Sequence, residues 1–372
     1  MKGLSRLPKG TTIAVGMSGG VDSSVSAYLL KEAGFNVFGL FMKNWEENDS
    51  HGVCMASKDQ EDAAKVCHYL DIPFYTVNFT EEYYKEVFED LLQGLKDGHT
   101  PNPDILCNRE IKFKHFLNKA LLLGADYLAT GHYCQIQENN GIYHLLKGSD
   151  QNKDQTYFVY TLKQKELSKV LFPVGHLEKP KVREIAKEAG LCTFEKKDST
   201  GICFIGKRNF KDFVSQYIPT SKGDIVSLDG QVVGSHTGAF YYTIGQRKGL
   251  GVGGEGDAWF VVDKDIKNNK LIVTQGQDHP SLYTTNLTAK ELSWTLPHEP
   301  KTPFYCQAKV RYRQQDQDCI IEKIENGLAF VNFLKPQRAV TTGQSIVFYE
   351  SGVCLGGGII LSKTPHDLTS AQ

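Results

Sequence analysis

The sequence predicts an α/β N-terminal domain built on a parallel sheet, followed by a small β-rich middle domain and a C-terminal antiparallel β-barrel. Three observations predict it. Short apolar runs alternate with helical patterns through the first half of the chain, as in βαβ units. The alternation stops around Gly201–Lys207, and the remainder is strand-rich and punctuated by glycine. Near the C-terminus Gln307, Lys309, Arg311 and Arg313 alternate with Cys306, Ala308, Val310 and Tyr312, a period of two with one basic and one apolar face.

In chain order, Thr11–Val15, Val37–Met42, Phe74–Asn78 and Tyr127–Thr130 read as short buried strands. Val21–Ala33, Ser57–Leu70, Glu81–Leu95 and Glu110–Leu123 read as the helices between them. Tyr133–Leu146 reads as a hairpin turning at Asn139-Asn140-Gly141. Lys181–Ala189 reads as a helix, with Pro180 at its start and Gly190 at its end. Asp224–Leu228, Gln231–Val233, Trp259–Asp263 and Leu271–Thr274 are the strands expected in the middle domain, and five more candidates lie between Phe304 and Leu361. The expected domains are 1–212, 213–282 and 283–372.

The composition is that of a globular protein, 40% hydrophobic and 23% charged. No apolar run is long enough to span a membrane, and the first ten residues carry no signal-peptide core, so a cytoplasmic location is expected. The nine cysteines form no CxxC pair, which disfavours zinc-ribbon and thioredoxin chemistry. Net charge is only −1, but its distribution is uneven. Asn44–Asp104 carries a net −10 and Lys147–Ser215 a net +5, so a polyanion would meet local basic surfaces.

Three stretches carry chemistry. The run Gly16-Met17-Ser18-Gly19-Gly20-Val21-Asp22-Ser23-Ser24 joins the first strand to the first helix. Such a turn aims backbone N–H groups and a helix dipole at one spot, and glycine lets an anion approach. It contains no lysine, unlike a Walker loop. Ligands of parallel sheets bind at the carboxyl ends of the strands, where this loop, Met42 and Gly131-His132 all fall. In Thr100–Arg109, two prolines read as a rigid loop ahead of a helix starting near Glu110. Cys107 is then a thiol at a helix N-terminus beside Arg109, where its pKa should be lowered, with Asp104 as a nearby proton acceptor. In Asp198–Gly206, Cys203 lies in a polar, glycine-flanked segment that reads as surface. Nothing in the spacing pairs the two thiols.

The SGGVDSS run resembles the PP-loop of ATP pyrophosphatases, adenine nucleotide alpha hydrolase-like enzymes that cleave ATP between its α and β phosphates. Together with NPDILCNREIKF, ATGHY, KDQTYF, DSTGICFIG, YTIGQRKGLG and VRYRQ, it makes the chain resemble the tRNA-specific 2-thiouridylases over nearly its whole length. That resemblance implies that Gly16, Met17, Ser18, Gly19, Gly20, Val21, Asp22 and Ser23 hold the ATP phosphates. It places Met42 and Gly131 against the nucleoside and lets Mg2+ accompany ATP. Asn102, Pro103 and Asp104 are implied contacts of the target uridine, with Asp104 a general acid/base. Cys107 is the implied nucleophile and Cys203 the persulfide carrier, able to close a disulfide with each other. His132, Lys153, Asp154, Gln155, Arg311, Tyr312 and Gln344 match positions that touch tRNA. The implied reaction is 2-thiolation of the wobble uridine of the glutamate, glutamine and lysine tRNAs. The implied partner is a persulfide-donating relay protein or a cysteine desulfurase. An iron–sulfur cluster on Cys107, Cys203 and Asp104 ranks lower, since two thiols are too few for four-cysteine ligation. The competing readings are an ammonia-using PP-loop ligase and a non-catalytic RNA-binding protein with a relic nucleotide site.

Overall fold

The computed structural model describes residues 7–45, 55–198 and 210–364. Its first layer is a five-stranded sheet of β1 (Thr12–Met17), β2 (Asn36–Lys43), β3 (Phe74–Asn78), β4 (Tyr127–Ala129) and, after the hairpin of β5 (Cys134–Asn139) and β6 (Ile142–Lys147), β7 (Val170–Leu171). The order is β3-β2-β1-β4-β7 and every pairing is parallel. Ile13, Ala14 and Val15 are all fully buried, because the sheet is covered on both faces. Ile13 and Val15 pack with Val21, Val25 and Leu30 of α1 (Val21–Glu32), and with Val182 of the helix Lys179–Glu188. Ala14 faces the other way, toward Phe113, Phe116 and Leu91. A further helix, α2 (Met55–Tyr69), leads into β3.

The helix expected from Glu110 starts earlier. It runs from Pro103–Leu106 through the π-helical Cys107–Phe116 to Leu117–Leu122. Asn102 caps it: its Oδ1 accepts from Asp104 N at 3.1 Å and from Ile105 N at 3.4 Å. Pro103 occupies the first helical position, where its missing N–H costs nothing. The expected Glu81–Leu95 helix is likewise a composite, Thr80–Tyr83, π-helical Tyr84–Phe88 and Glu89–Lys96.

The middle domain is a four-stranded sheet ordered β10-β11-β8-β9, from β8 (Gly223–Ser227), β9 (Val232–His236), β10 (Trp259–Asp265) and β11 (Lys270–Gln275). The last domain contains β12 (Tyr283–Trp294), β13 (Phe304–Lys309), β14 (Gln317–Glu325), β15 (Leu328–Arg338), β16 (Ser345–Glu350) and β17 (Val353–Thr364). Their order is β12-β15-β14-β13-β16-β17, and β12 pairs with β17 to close an antiparallel barrel. The β5–β6 hairpin of the first domain joins this barrel, with Leu146 opposite Val353 and Leu145 opposite Cys354.

The basic face expected on Gln307–Arg313 does not form. The strand ends at Lys309, and Lys309 is buried, its Nζ lying 3.6 Å from Asp154 Oδ2 and 3.7 Å from Asp316 Oδ1. Two carboxylates compensate the buried ammonium, which period-two patterning cannot reveal.

Candidate active site

The glycine-rich turn, the candidate cradle, grows from the end of β1. Gly19 has φ +72, and a Cβ there would stand 2.3 Å from Asp59 O of α2, so the position demands glycine. Serines brace the turn from within. Ser18 N donates to Ser23 Oγ at 3.2 Å, Gly20 N to Ser18 Oγ at 3.3 Å, and Ser24 Oγ to Gly20 O at 2.8 Å. Gly20 gives α1 no side-chain cap. The first-turn N–H groups of α1, which have no intrahelical acceptor, therefore point at the cradle. Gly131, just past β4, presses on this turn: a Cβ would lie 2.8 Å from Ser23 N. The cradle thus sits between β1 and β4, where the strand order reverses. Gly16 backs onto Phe116, and Met42 is half-buried at the end of β2 beside the same apolar layer.

A lysine absent from the loop arrives from another helix. Lys179, only 11% exposed, sets Nζ at 2.7 and 2.8 Å from the two carboxylate oxygens of Asp22. Tyr133 OH donates to the same carboxylate at 2.7 Å. Lys179 also lies 2.9 Å from Asp198 Oδ1, which Arg183 reaches at 2.9 Å, while Lys153 binds Asp198 Oδ2 at 2.6 Å. Burial would raise the Asp198 carboxyl, but the hydrogen bonds and charges of Lys153 and Lys179 outweigh it and hold the group down at about 2. Sequence reading missed Lys179 because its partner is 157 positions away. Cys203, five residues beyond Asp198, lies outside the described residues, as do the rest of 199–209.

Cys107 is 1% exposed, in the second turn of its helix. Asn44 Nδ2 approaches its Sγ at 3.9 Å. The guanidinium expected beside the thiol turns elsewhere: Arg109 binds Glu110 at 2.6 Å and reaches Glu291 at 3.7 Å. The dipole at the helix start acts mainly on the first turn, which is occupied by half-buried Asp104.

The remaining expected RNA contacts bind the protein itself. His132 Nδ1 is 2.7 Å from Thr130 Oγ1, and its ring stands 5.7 Å from Phe113 and 5.9 Å from Phe172; burial pulls its pKa well below the usual value, leaving it neutral. Asp154 is buried and accepts from Gly148 N and from Thr156 N and Oγ1. Gln155 Oε1 accepts from Tyr133 N at 2.9 Å. Arg311 donates to Ile244 O and Ala339 O, both at 2.8 Å, tying the middle domain to the barrel. Tyr312 packs on Phe158 at 4.4 Å between ring centres. Gln344 Nε2 donates to Thr100 O at 2.6 Å.

Comparison with known proteins gives the family. A protein-family model described as the tRNA methyl transferase HUP domain matches residues 11–207. The tRNA methyl transferase PRC-barrel domain matches 211–275 and the aminomethyltransferase beta-barrel domain 284–360. The tRNA-specific 2-thiouridylase MnmA of Protochlamydia amoebophila is 60% identical over 355 residues, covering 95% of this chain and 94% of its own. The chain belongs to the tRNA-specific 2-thiouridylases. Among other 2-thiouridylases, that of Halalkalibacterium halodurans is 55% identical over 99% of this chain and all of its own length. That of Francisella tularensis subsp. holarctica is 56% identical over 94% of this chain and 99% of its own. The 2-thiouridylase identity therefore spans cradle, cysteine loop, middle domain and barrel together.

Proposed function

We propose that this chain is an ATP-dependent tRNA-uridine 2-sulfurtransferase that thiolates the C2 position of a wobble uridine. The observation that carries the reading is full-length identity to the 2-thiouridylases, reaching 60%. The site supplies the physical means. The uncapped start of α1 and the glycine turn offer N–H donors to the phosphates, and Lys179 offers the cation that the loop lacks. Met42 and Gly131 border the place for the nucleoside.

The C2 oxygen of uridine leaves poorly. Transfer of AMP to it, with release of pyrophosphate, makes it a leaving group. Sulfur then arrives as a persulfide on Cys203, supplied by a relay protein or a cysteine desulfurase. In one route the terminal sulfur attacks C2 and AMP departs, leaving the base joined to Cys203 through a disulfide; the Cys107 thiolate then attacks Cys203 Sγ, freeing 2-thiouridine and leaving a Cys107–Cys203 disulfide. In the other, the Cys107 thiolate attacks the inner sulfur first, and the hydrosulfide released attacks C2 as AMP departs; in both routes an external thiol reduces the Cys107–Cys203 disulfide. Asp104, beside the Asn102 cap, is the group for proton transfer at the base. A uridine reaches this pocket only when turned out of its stack. Among the described residues no cluster of three His, Cys, Asp or Glu forms a metal cage. Mg2+ fits here as it usually binds, on phosphate oxygens and waters, where it would neutralise phosphate charge. No helix among the described residues is long and apolar enough to cross a membrane.

The test uses purified protein, ATP, a persulfide donor and tRNA lacking the modification, with 2-thiouridine read by mass spectrometry. Thiouridine formation by wild type and its loss in Cys107→Ala, with ATP binding intact, is expected. AMP formation driven by ammonia without tRNA would instead support the ligase reading. Binding of tRNA with no pyrophosphate release would support the relic-site reading.

A further inference from the structure

The loop that carries Asn102, Pro103 and Asp104 belongs to the first domain, yet the other two domains hold it. From the barrel, Gln344 Nε2 donates to Thr100 O at 2.6 Å and Thr100 N donates to Thr342 O at 2.9 Å. Gly343 sits so close that a Cβ would meet His99 Cβ and Thr100 N at 2.8 Å. From the middle domain, Lys264 on β10 places Nζ 3.4 Å from Thr100 Oγ1 and 3.5 Å from His99 O. Gly98, at φ +80, leaves room for Ile266; a Cβ there would stand 2.5 Å from Ile266 Cγ1. All these contacts fall on residues 98–100, just ahead of the Asn102 cap.

Resting on the function proposed above, the geometry points to Lys264 and Gln344 as positioning residues that fix Thr100, and through it the Asn102 cap and Asp104, in the geometry that receives the uridine. Neither side chain needs to touch the base. A lysine is an expensive choice for this task. Burial pulls its ammonium down to about 8, and the Asp263 carboxylate offsets this only in part. A neutral hydrogen-bonding residue would avoid that cost, but its reach would be shorter than the four-carbon stem that spans from β10 to the loop. Gln344 fits the same reading, because its amide is already engaged by Thr100 O. The arrangement makes the loop's geometry depend on how the three domains are assembled.

The test compares full-length Lys264→Met, Lys264→Arg and Gln344→Ala with wild type. Backbone amide exchange over residues 98–106 is read directly, alongside tRNA-dependent AMP formation and ATP affinity. Lys264→Met is expected to speed exchange in that stretch and to lower kcat about tenfold or more, since small misplacements are costly in a reacting geometry. ATP affinity should stay within about twofold, because the cradle is elsewhere, and Gln344→Ala should show the same pattern. Lys264→Arg keeps the charge and the reach, so it should recover most of kcat. Unchanged exchange in Lys264→Met overturns the inference, as does a Lys264→Arg protein as impaired as Lys264→Met. A wild-type protein inactive on every tRNA would sink the functional reading instead, and the exchange data would still decide whether Lys264 holds the loop.

Discussion

Lys179 Nζ and the Asp22 carboxylate meet at 2.7 and 2.8 Å, joining the first residue of one helix to the first turn of another. This contact brings a lysine to a glycine turn that has none of its own. On the proposed reading, in which Lys179 also serves the ATP phosphates, Lys179→Met should weaken ATP binding at least about tenfold. Removing one partner of this largely buried pair should also cost about 1–3 kcal/mol of stability. Calorimetric titration with a non-hydrolysable ATP analogue checks the first, and an unchanged affinity would remove Lys179 from the nucleotide site.

Asp198 makes acid stability measurable at one residue. Its folded-state pKa, about 2, is below the ordinary 3.8. Its contribution to stability is therefore complete above the unfolded value and is lost as pH falls from near 3.8 toward 2. Urea unfolding followed from above the ordinary carboxylate range down to the folded-state value should show a drop that Asp198→Asn flattens. Parallel pH curves for the two proteins would contradict the assignment.

Gly19→Ala meets two obstacles at once. The backbone is left-handed there, costing about 1–2 kcal/mol for a residue with a Cβ, and the new carbon would sit 2.3 Å from Asp59 O. The cradle must open or α2 must move. A lower melting temperature together with weaker ATP binding is expected; a variant with wild-type values for both would show that the turn tolerates a side chain.

Asn102→Ala should cost about 1 kcal/mol through loss of the helix cap. Asn102→Asp keeps an accepting oxygen, so its thermal stability should stay near wild type. Thiolation separates the roles. An Asp variant that is stable but inactive would mean that the amide NH2 is used on the uridine, while full activity would mean that capping is the residue's whole task.

The first sheet is legible because parallel strands buried on both faces read as unbroken apolar runs; Ile13–Val15 is the clearest. The glycine turn after β1 is legible because its glycines and serines are contiguous. The start of the Pro103 helix is not, since a proline before a helical pattern looks the same whether it ends a loop or opens a helix. The burial of Lys309 is hidden for a different reason. Periodicity assigns a residue to a face, but only the fold decides whether another element covers that face with Asp154 and Asp316. The Lys179–Asp22 pair, the grip of Lys264 and the turn of Arg109 toward Glu291 join residues far apart in the chain. No local pattern encodes them, and Cys203 lies outside the described residues.

The β5–β6 hairpin is hydrogen-bonded to β17, so the chain's domain limits are not places where it can be cut. Lys147 N donates to Gly352 O at 3.0 Å across that seam. A fragment holding only the last domain would expose the main-chain groups that this hairpin covers, an edge that invites pairing with other copies. For anyone building chimeras by exchanging C-terminal domains among relatives, the transferable unit is the barrel together with its borrowed hairpin, two stretches of sequence that must travel as one.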